Sequence, residues 1–226
     1  MENFGAIEKI FDRAGAEGRK SLSEPEVYEV MRLAGLGAPR YVLYQAAGFD
    51  AAAAAADACS KLLGDRLVLK LVSSKTLHKT ESGGVKVLDH DPAAVKEAMQ
   101  EMRAKFPEAE AFMAVEFLPH SAFALGEELL LGARADRAFG PVVTLGPGGT
   151  NAEGLTRSLR AGVSPSVMPV DLADRTAWES FLSASWVWKY ASGAVRGGKR
   201  LVQDAEAFKW LEGFAALMKH FRDGGA

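Results

Sequence analysis

Apolar positions change their period along the chain, and the changes mark out its elements. Ile7, Ile10, Phe11 and Ala14 recur at helical spacing, which predicts a short amphipathic helix ending near Gly15 or Gly18. Ser23-Glu24-Pro25-Glu26 opens a second helix: a serine cap, a proline in the first turn and a glutamate three residues after the serine form a capping box. That helix carries Val27, Val30, Met31 and Ala34 inward and stops at Gly35 and Gly37. From there elements alternate: a strand at 40–44, a helix at 51–63, a strand at 67–72, a glycine-bearing loop, a strand at 85–88, and a helix opened by Asp91-Pro92 that runs to about Lys105.

The pattern then turns mostly to strand, at 111–117, 128–135 and 141–145. The first two are separated by the irregular stretch 119–126 and the last two by a turn at 136–140. After Pro165 it returns to helix, with 178–188 and 205–221 as candidates and a glycine-rich loop at 191–200 between them. The reading is an α/β (α+β) chain with no internal repeat, and composition marks no domain boundary.

Composition narrows the function classes. In 226 residues, 48% hydrophobic content is enough to fill a core without covalent staples. Lys plus Arg is 27 against 29 for Asp plus Glu, a net charge of -2, so no field draws the chain to nucleic acid or to an anionic membrane. Any anionic ligand must be held by a local site. The single cysteine, Cys59, reads as packing within an alanine-rich helix and fits a reducing compartment. The amino terminus lacks the apolar core of a signal peptide, and no run approaches the roughly 18 apolar residues of a membrane span. The expectation is a soluble, cytoplasmic protein.

The candidate chemistry lies between Leu67 and Leu88, LVLKLVSSKTLHKTESGGVKVL. A lysine inside a run of Leu and Val is costly to desolvate unless an anion meets it, so Lys70 either points at a ligand or snorkels to water. Gly83 and Gly84 allow close backbone approach, with Lys75, Lys79 and Lys86 nearby. These features alone suit a phosphate-binding loop or a solvated turn equally. No Walker-type glycine-lysine-serine or glycine-lysine-threonine follows the glycines.

That run resembles a stretch of the β-subunits, or fused β-domains, of ADP-forming acetyl-CoA and acyl-CoA synthetases, relatives of the succinyl-CoA synthetase β-subunit. There a valine-leucine-lysine strand is followed by leucine-histidine-lysine and then glycine-glycine-valine. Further landmarks follow in the family's order: Glu17-Gly18-Arg19 with Leu22-Ser23-Glu24, Ala114 to Pro119, Glu128 to Gly132, Asp136 to Pro141, and Gly146-Pro147-Gly148-Gly149 with Glu153. The similarity runs from about Ala16 to Phe221.

The resemblance implies an ATP-grasp fold of two subdomains, 22–112 and 1–21 plus 113–226, clasping ATP or ADP. His78 would be the phosphohistidine, since a neutral imidazole is a nucleophile near pH 7. Lys70, Gly83 and Gly84 would meet nucleotide phosphate, with Glu116, Phe117 and Leu118 as the hinge that holds adenine and ribose. Glu128 would be a second carboxylate on the nucleotide side. Outward positions of half-buried strands are the alternative for Glu116 and Glu128, and Gly146, Gly148 and Gly149 suit either a phosphate-facing nest or a tight turn. His90, His120 and His220 read as surface or packing residues, and the four tryptophans as core or interface.

Two departures from the family pattern bear on activity. The family's Mg²⁺ ligands resemble an aspartate-isoleucine-asparagine-proline strand and a following aspartate, which would lie outside this chain, so no metal ligand is assigned within it. Arg157 stands where the family has an acid. The expectation is an ATP-grasp component of an ADP-forming acyl-CoA synthetase, either an excised piece or a shortened protein, with CoA and the acyl site supplied by a partner subunit or domain. The alternative is a non-catalytic nucleotide-binding or subunit-interaction module.

Overall fold

The computed structural model describes residues 3–73, 83–121, 124–149, 152–160 and 162–223. They form eight α-helices, one 3-10 turn and seven strands in two antiparallel sheets. The helices are α1 (Phe4–Ala16), α2 (Glu24–Leu33), α3 (Ala51–Lys61), α4 (Pro92–Lys105), α5 (Ala152–Ser158), α6 (Arg175–Ala184), α7 (Trp186–Ala191) and α8 (Asp204–Asp223). The strands are β1 (Tyr41–Gln45), β2 (Arg66–Val72), β3 (Val85–Asp89), β4 (Ala111–Glu116), β5 (Leu129–Asp136), β6 (Gly140–Pro147) and β7 (Ser166–Pro169). No helix among the described residues is long and apolar enough to cross a membrane.

Contacts divide the chain into one unit of Gly5–Leu33 with Gly37–Pro119, and another of Met1–Phe4, Ala34–Leu36 and His120–Ala226. Residues 5–21 group with the first unit, where Arg13 and Arg19 both pair with Glu26 of α2.

In the first unit the strand order is β1-β4-β2-β3. Leu67, Leu69 and Leu71 of β2 point to one face, where Phe112 and Ala114 of β4 meet Ala55 and Ala58 of α3 and Val95, Ala98 and Met99 of α4. Both helices start on aspartate caps: Asp50 accepts from the Ala52 and Ala53 amides, and Asp91 from Ala94. Cys59 packs at the edge of this core, where burial raises its thiol pKa. His90 bridges the Gly64 and Cys59 carbonyls just past α3, a packing role. The opposite face carries Val72, Ala111, Met113 and Val115, with Tyr28, Tyr41 and Val68 against them.

The amino-terminal helices follow the sequence reading closely. Ile7, Ile10 and Ala14 are buried, but Phe11 and Val27 are exposed, so each helix buries a narrower stripe than its apolar residues imply. Glu26 closes the capping box by accepting from the Ser23 amide at 2.8 Å. The same carboxylate receives two bonds from Arg19, at 2.7 and 2.8 Å.

In the second unit β5-β6-β7 form a sheet with Val143 and Leu145 packed on Trp178, Phe181, Leu182, Val187, Trp188, Phe208 and Leu211. Two sequence expectations fail here. The single helix at 178–188 is two helices broken at Ser185, whose amide turns back to the Phe181 and Leu182 carbonyls. Residues 166–169 form the edge strand β7, too short for its alternation to show in sequence.

The Arg19 bonds are the largest cause lowering the Glu26 pKa, from 4.5 to about 2. A carboxylate depressed on folding stabilises the fold above its unfolded pKa, and that stability disappears as pH falls through its folded pKa. The shift corresponds to an upper bound of roughly 3 kcal/mol. Glu26→Gln should therefore lower the unfolding free energy at pH 7, with the gap to the parent closing between about pH 4.5 and pH 2; a gap independent of pH would rule out this ion pair as its source.

Candidate functional site

Lys70 sits mid-strand on β2, opposite Met113 of β4 and Val85 of β3. Its parity with Val68 and Val72 turns it away from the leucine core, onto the face that carries Met113 and Val115. The ammonium is not left bare there. It donates to Glu24 Oε1 at 2.5 Å and lies 3.5 Å from the Tyr28 hydroxyl. Tyr28 donates to the same Glu24 oxygen at 2.5 Å. Burial, and then that bond, raise the Tyr28 pKa, so the phenol remains a donor at neutral pH.

Both partners come from the first two turns of α2, where Glu24 and Tyr28 are four residues apart and share a face. An open cleft of about 1130 Å³ lies beside them, floored by Tyr41, Leu43, Gln45, Val72 and Ala111 and walled by Arg13, Arg19, Glu24 and Glu26. Sequence reasoning singled out Lys70 but not Glu24 or Tyr28. An acid in the first turn of a helix already has a local explanation in the helix dipole, and nothing in the sequence links it to a strand 46 residues away.

The remaining expected site residues are distributed as follows. Gly83 has a φ of 77°, and a Cβ there would lie 2.9 Å from Lys105 Nζ. The Gly84 carbonyl accepts from the Leu71 amide at 2.8 Å, which extends the β2–β3 ladder rather than turning toward a ligand. Lys86 pairs with Glu101. The Glu116 carboxylate accepts from the Arg40 amide at 2.8 Å, while its own amide donates to the Arg40 carbonyl, so this side chain closes the start of β1. Phe117 lies under the Arg66 guanidinium, 4.0 Å from ring centre to Cζ, and Leu118 is exposed. His78, with Lys75 and Lys79, lies outside the described residues.

In the second unit Glu128 and the glycine-rich loop come together. The Gly148 amide donates to the Glu128 carbonyl at 2.8 Å. A Cβ on Gly148 would stand 3.0 Å from the Glu128 carbonyl carbon, and one on Gly149 would stand 2.9 Å from Glu128 Cδ. Gly149 has a φ of 79°. Glu128 Oε1 is 3.7 Å from His120 Nε2. Glycine is required here because the loop presses directly on the start of β5. Gly146 faces Pro165 and Ser164 at ordinary contact distance. Arg157 pairs with Glu153 along α5 at 2.8 Å. Among the described residues no three of His, Cys, Asp and Glu converge as a metal site.

A family model described as an ATP-grasp domain matches residues 13–208. The chain belongs to the ATP-grasp domain family. It is 34% identical over 157 residues to the 4-hydroxybutyrate–CoA ligase (ADP-forming) of Nitrosopumilus maritimus, covering 67% of this chain and 21% of that protein. It is 31% identical over 163 residues to the acetate–CoA ligase (ADP-forming) I subunit beta of Pyrococcus furiosus, covering 68% of this chain and 63% of that protein. The chain thus spans about a fifth of the first relative (21%) and less than two thirds of the second (63%).

Two solved structures from Ca. Korarchaeum cryptofilum share the ATP-grasp architecture. ACD1 in complex with coenzyme A aligns with a TM-score of 0.75 at 27% identity over 94% of this chain and 86% of that one. The dinucleotide forming acetyl-coenzyme A synthetase 1, with a phosphorylated phosphohistidine segment, aligns with a TM-score of 0.71 at 25% identity over 95% of this chain and 85% of that one.

The two left-handed glycines of the second unit allow a direct comparison. Gly140, with a φ of 67°, has open space around it, whereas Gly149 meets Glu128. Gly140→Ala should cost only the backbone term, roughly 1 kcal/mol. Gly149→Ala should cost that and a smaller addition for moving the end of the Glu128 side chain, roughly 1–2 kcal/mol in all. Urea unfolding of the two variants measures the difference, and equal losses would count against the close approach.

Proposed function

We propose that this chain is the nucleotide-binding component of an ADP-forming acyl-CoA synthetase and moves phosphate between a phosphohistidine at His78 and ADP. The observation that carries the reading is the position of His78, in the segment joining β2, which bears Lys70, to β3. A similar solved structure bears a phosphorylated phosphohistidine segment. In this reading Lys70 meets nucleotide phosphate with Gly83 and Gly84 beside it, and Glu116, Phe117 and Leu118 border the base and ribose. Glu128 and the loop of Gly146, Gly148 and Gly149 are further nucleotide-binding candidates in this reading.

The transfer step follows from the chemistry of a phosphoramidate. The phosphorus–nitrogen bond on His78 breaks, and its electron pair remains with the imidazole, which takes one proton from solvent. A terminal oxygen of ADP forms the new phosphorus–oxygen bond, giving ATP. Lys70 contributes a fixed positive charge beside the phosphate oxygens. Mg²⁺ neutralises phosphate charge when it is bound. A CoA-binding subunit or domain supplies the acyl phosphate; a beta subunit among the relatives supports that division.

A second reading rests on Arg157, which stands where the family has an acid and pairs with Glu153 on the surface of α5: a nucleotide-binding or subunit-interaction module without transfer. The two readings are separated by incubating the chain with a CoA-binding synthetase subunit, acyl-CoA, phosphate, ADP and Mg²⁺. Transfer requires an acid-labile phosphoryl label on the parent chain and its loss in His78→Ala. Turnover in that variant should fall by at least about a thousandfold, with ADP affinity retained. Full turnover in His78→Ala ends the phosphohistidine reading, and nucleotide binding without any label on the parent chain favours the module.

A further inference from the structure

We propose that Glu24 is the resident counter-ion of Lys70, a carboxylate standing in for nucleotide phosphate that must yield the ammonium before phosphate can occupy it. The inference rests on the reading of Lys70 as a phosphate-binding lysine and adds a residue that sets the affinity and charge selectivity of the site.

The geometry supports displacement in three ways. First, the carboxylate meets the lysine at 2.5 Å, with the Tyr28 hydroxyl on the same oxygen. An oxyanion bound to the cation and to a hydroxyl donor is the arrangement that a phosphate oxygen would take. Second, Glu24 lines the open cleft beside α2, so its side chain can rotate into solvent-accessible space without disturbing the packed leucine core. Third, Glu24 stands in the first turn of α2, where unpaired backbone amides favour a negative charge after the lysine has been given up.

Energetically, this carboxylate acts against phosphate in proportion to charge. While it stays near Lys70 it cancels the positive field and repels an incoming polyphosphate; when it leaves, the salt bridge is lost. Either way a neutral side chain of the same shape should bind phosphate more tightly. A purely structural Glu24 has the opposite sign, because removing its charge would loosen Lys70 and weaken binding. Adenosine, which carries no phosphate, should not sense the change.

The test is calorimetric titration of the full chain with ADP and with adenosine, without divalent cation and at fixed ionic strength. The variants are Glu24→Gln, Lys70→Met and the double variant. Glu24→Gln is expected to tighten ADP about tenfold and leave adenosine unchanged. Lys70→Met is expected to weaken ADP about tenfold, and in its background the Glu24→Gln gain should vanish. ADP binding by Glu24→Gln that equals or falls below the parent's overturns the inference, as does a gain that survives without Lys70.

Glu24→Ala has the same expected sign and decides the matter if the glutamine variant does not fold. The two levels fail differently. An affinity for ADP that ignores Lys70→Met removes the phosphate-lysine reading itself. Weakening by Lys70→Met without tightening by Glu24→Gln removes only the role of Glu24. Absence of ADP binding in every form counts against both.

Discussion

An ammonium group in the middle of a leucine-rich strand imposes a requirement that neighbouring residues must meet. Lys70 is flanked across the sheet by Met113 and Val85, neither of which can neutralise it. A partly buried ammonium without a counter-charge is destabilising. The strand's alternation sends Lys70 to the face opposite α3 and α4, and α2 supplies the anion there. The placement of α2 in turn depends on Glu26, which Arg19 grips with two bonds. Two acids two residues apart thus divide the work: Glu26 fixes the helix, and Glu24 meets the lysine.

The second unit meets a different constraint with glycine. Its sheet packs one face against a helical layer rich in tryptophan and phenylalanine, and the loop after β6 turns back onto the residue that precedes β5. Gly148 has no room for a side chain against the Glu128 and Leu129 backbone, and Gly149 takes a left-handed conformation beside the Glu128 carboxylate. Both arrangements leave polar groups at the margin of an apolar sheet, held in place by the backbone or by a single ion pair.

Much of this was legible in the sequence, for identifiable reasons. Asp91 and the Ser23–Glu26 pair announce helix starts because capping is local chemistry, and each makes its expected bond, whereas the Asp50 cap is seen only in the structure. Lys70 stands out because one charge interrupts an apolar run. Glu24 does not, because its tertiary partner is distant and its helix-terminal position is already sufficient explanation. The break at Ser185 was hidden by Trp178, Phe181, Leu182, Val187 and Trp188, which continue an apolar pattern across it. The contact of Glu116 with Arg40 has no signature in the sequence, since an acid at a strand end fits a hinge, an outward position and a β-ladder closure equally well.

Ile7 and Ile10 anchor α1 by burial, while Leu211 and Ala215 do the same for α8. The family match spans 13–208, so all four anchors fall beyond it. A recombinant fragment trimmed to the recognisable region would cut through both helices and expose the apolar surfaces they cover. The stretch that the family model matches is therefore shorter than the stretch over which this chain packs its core.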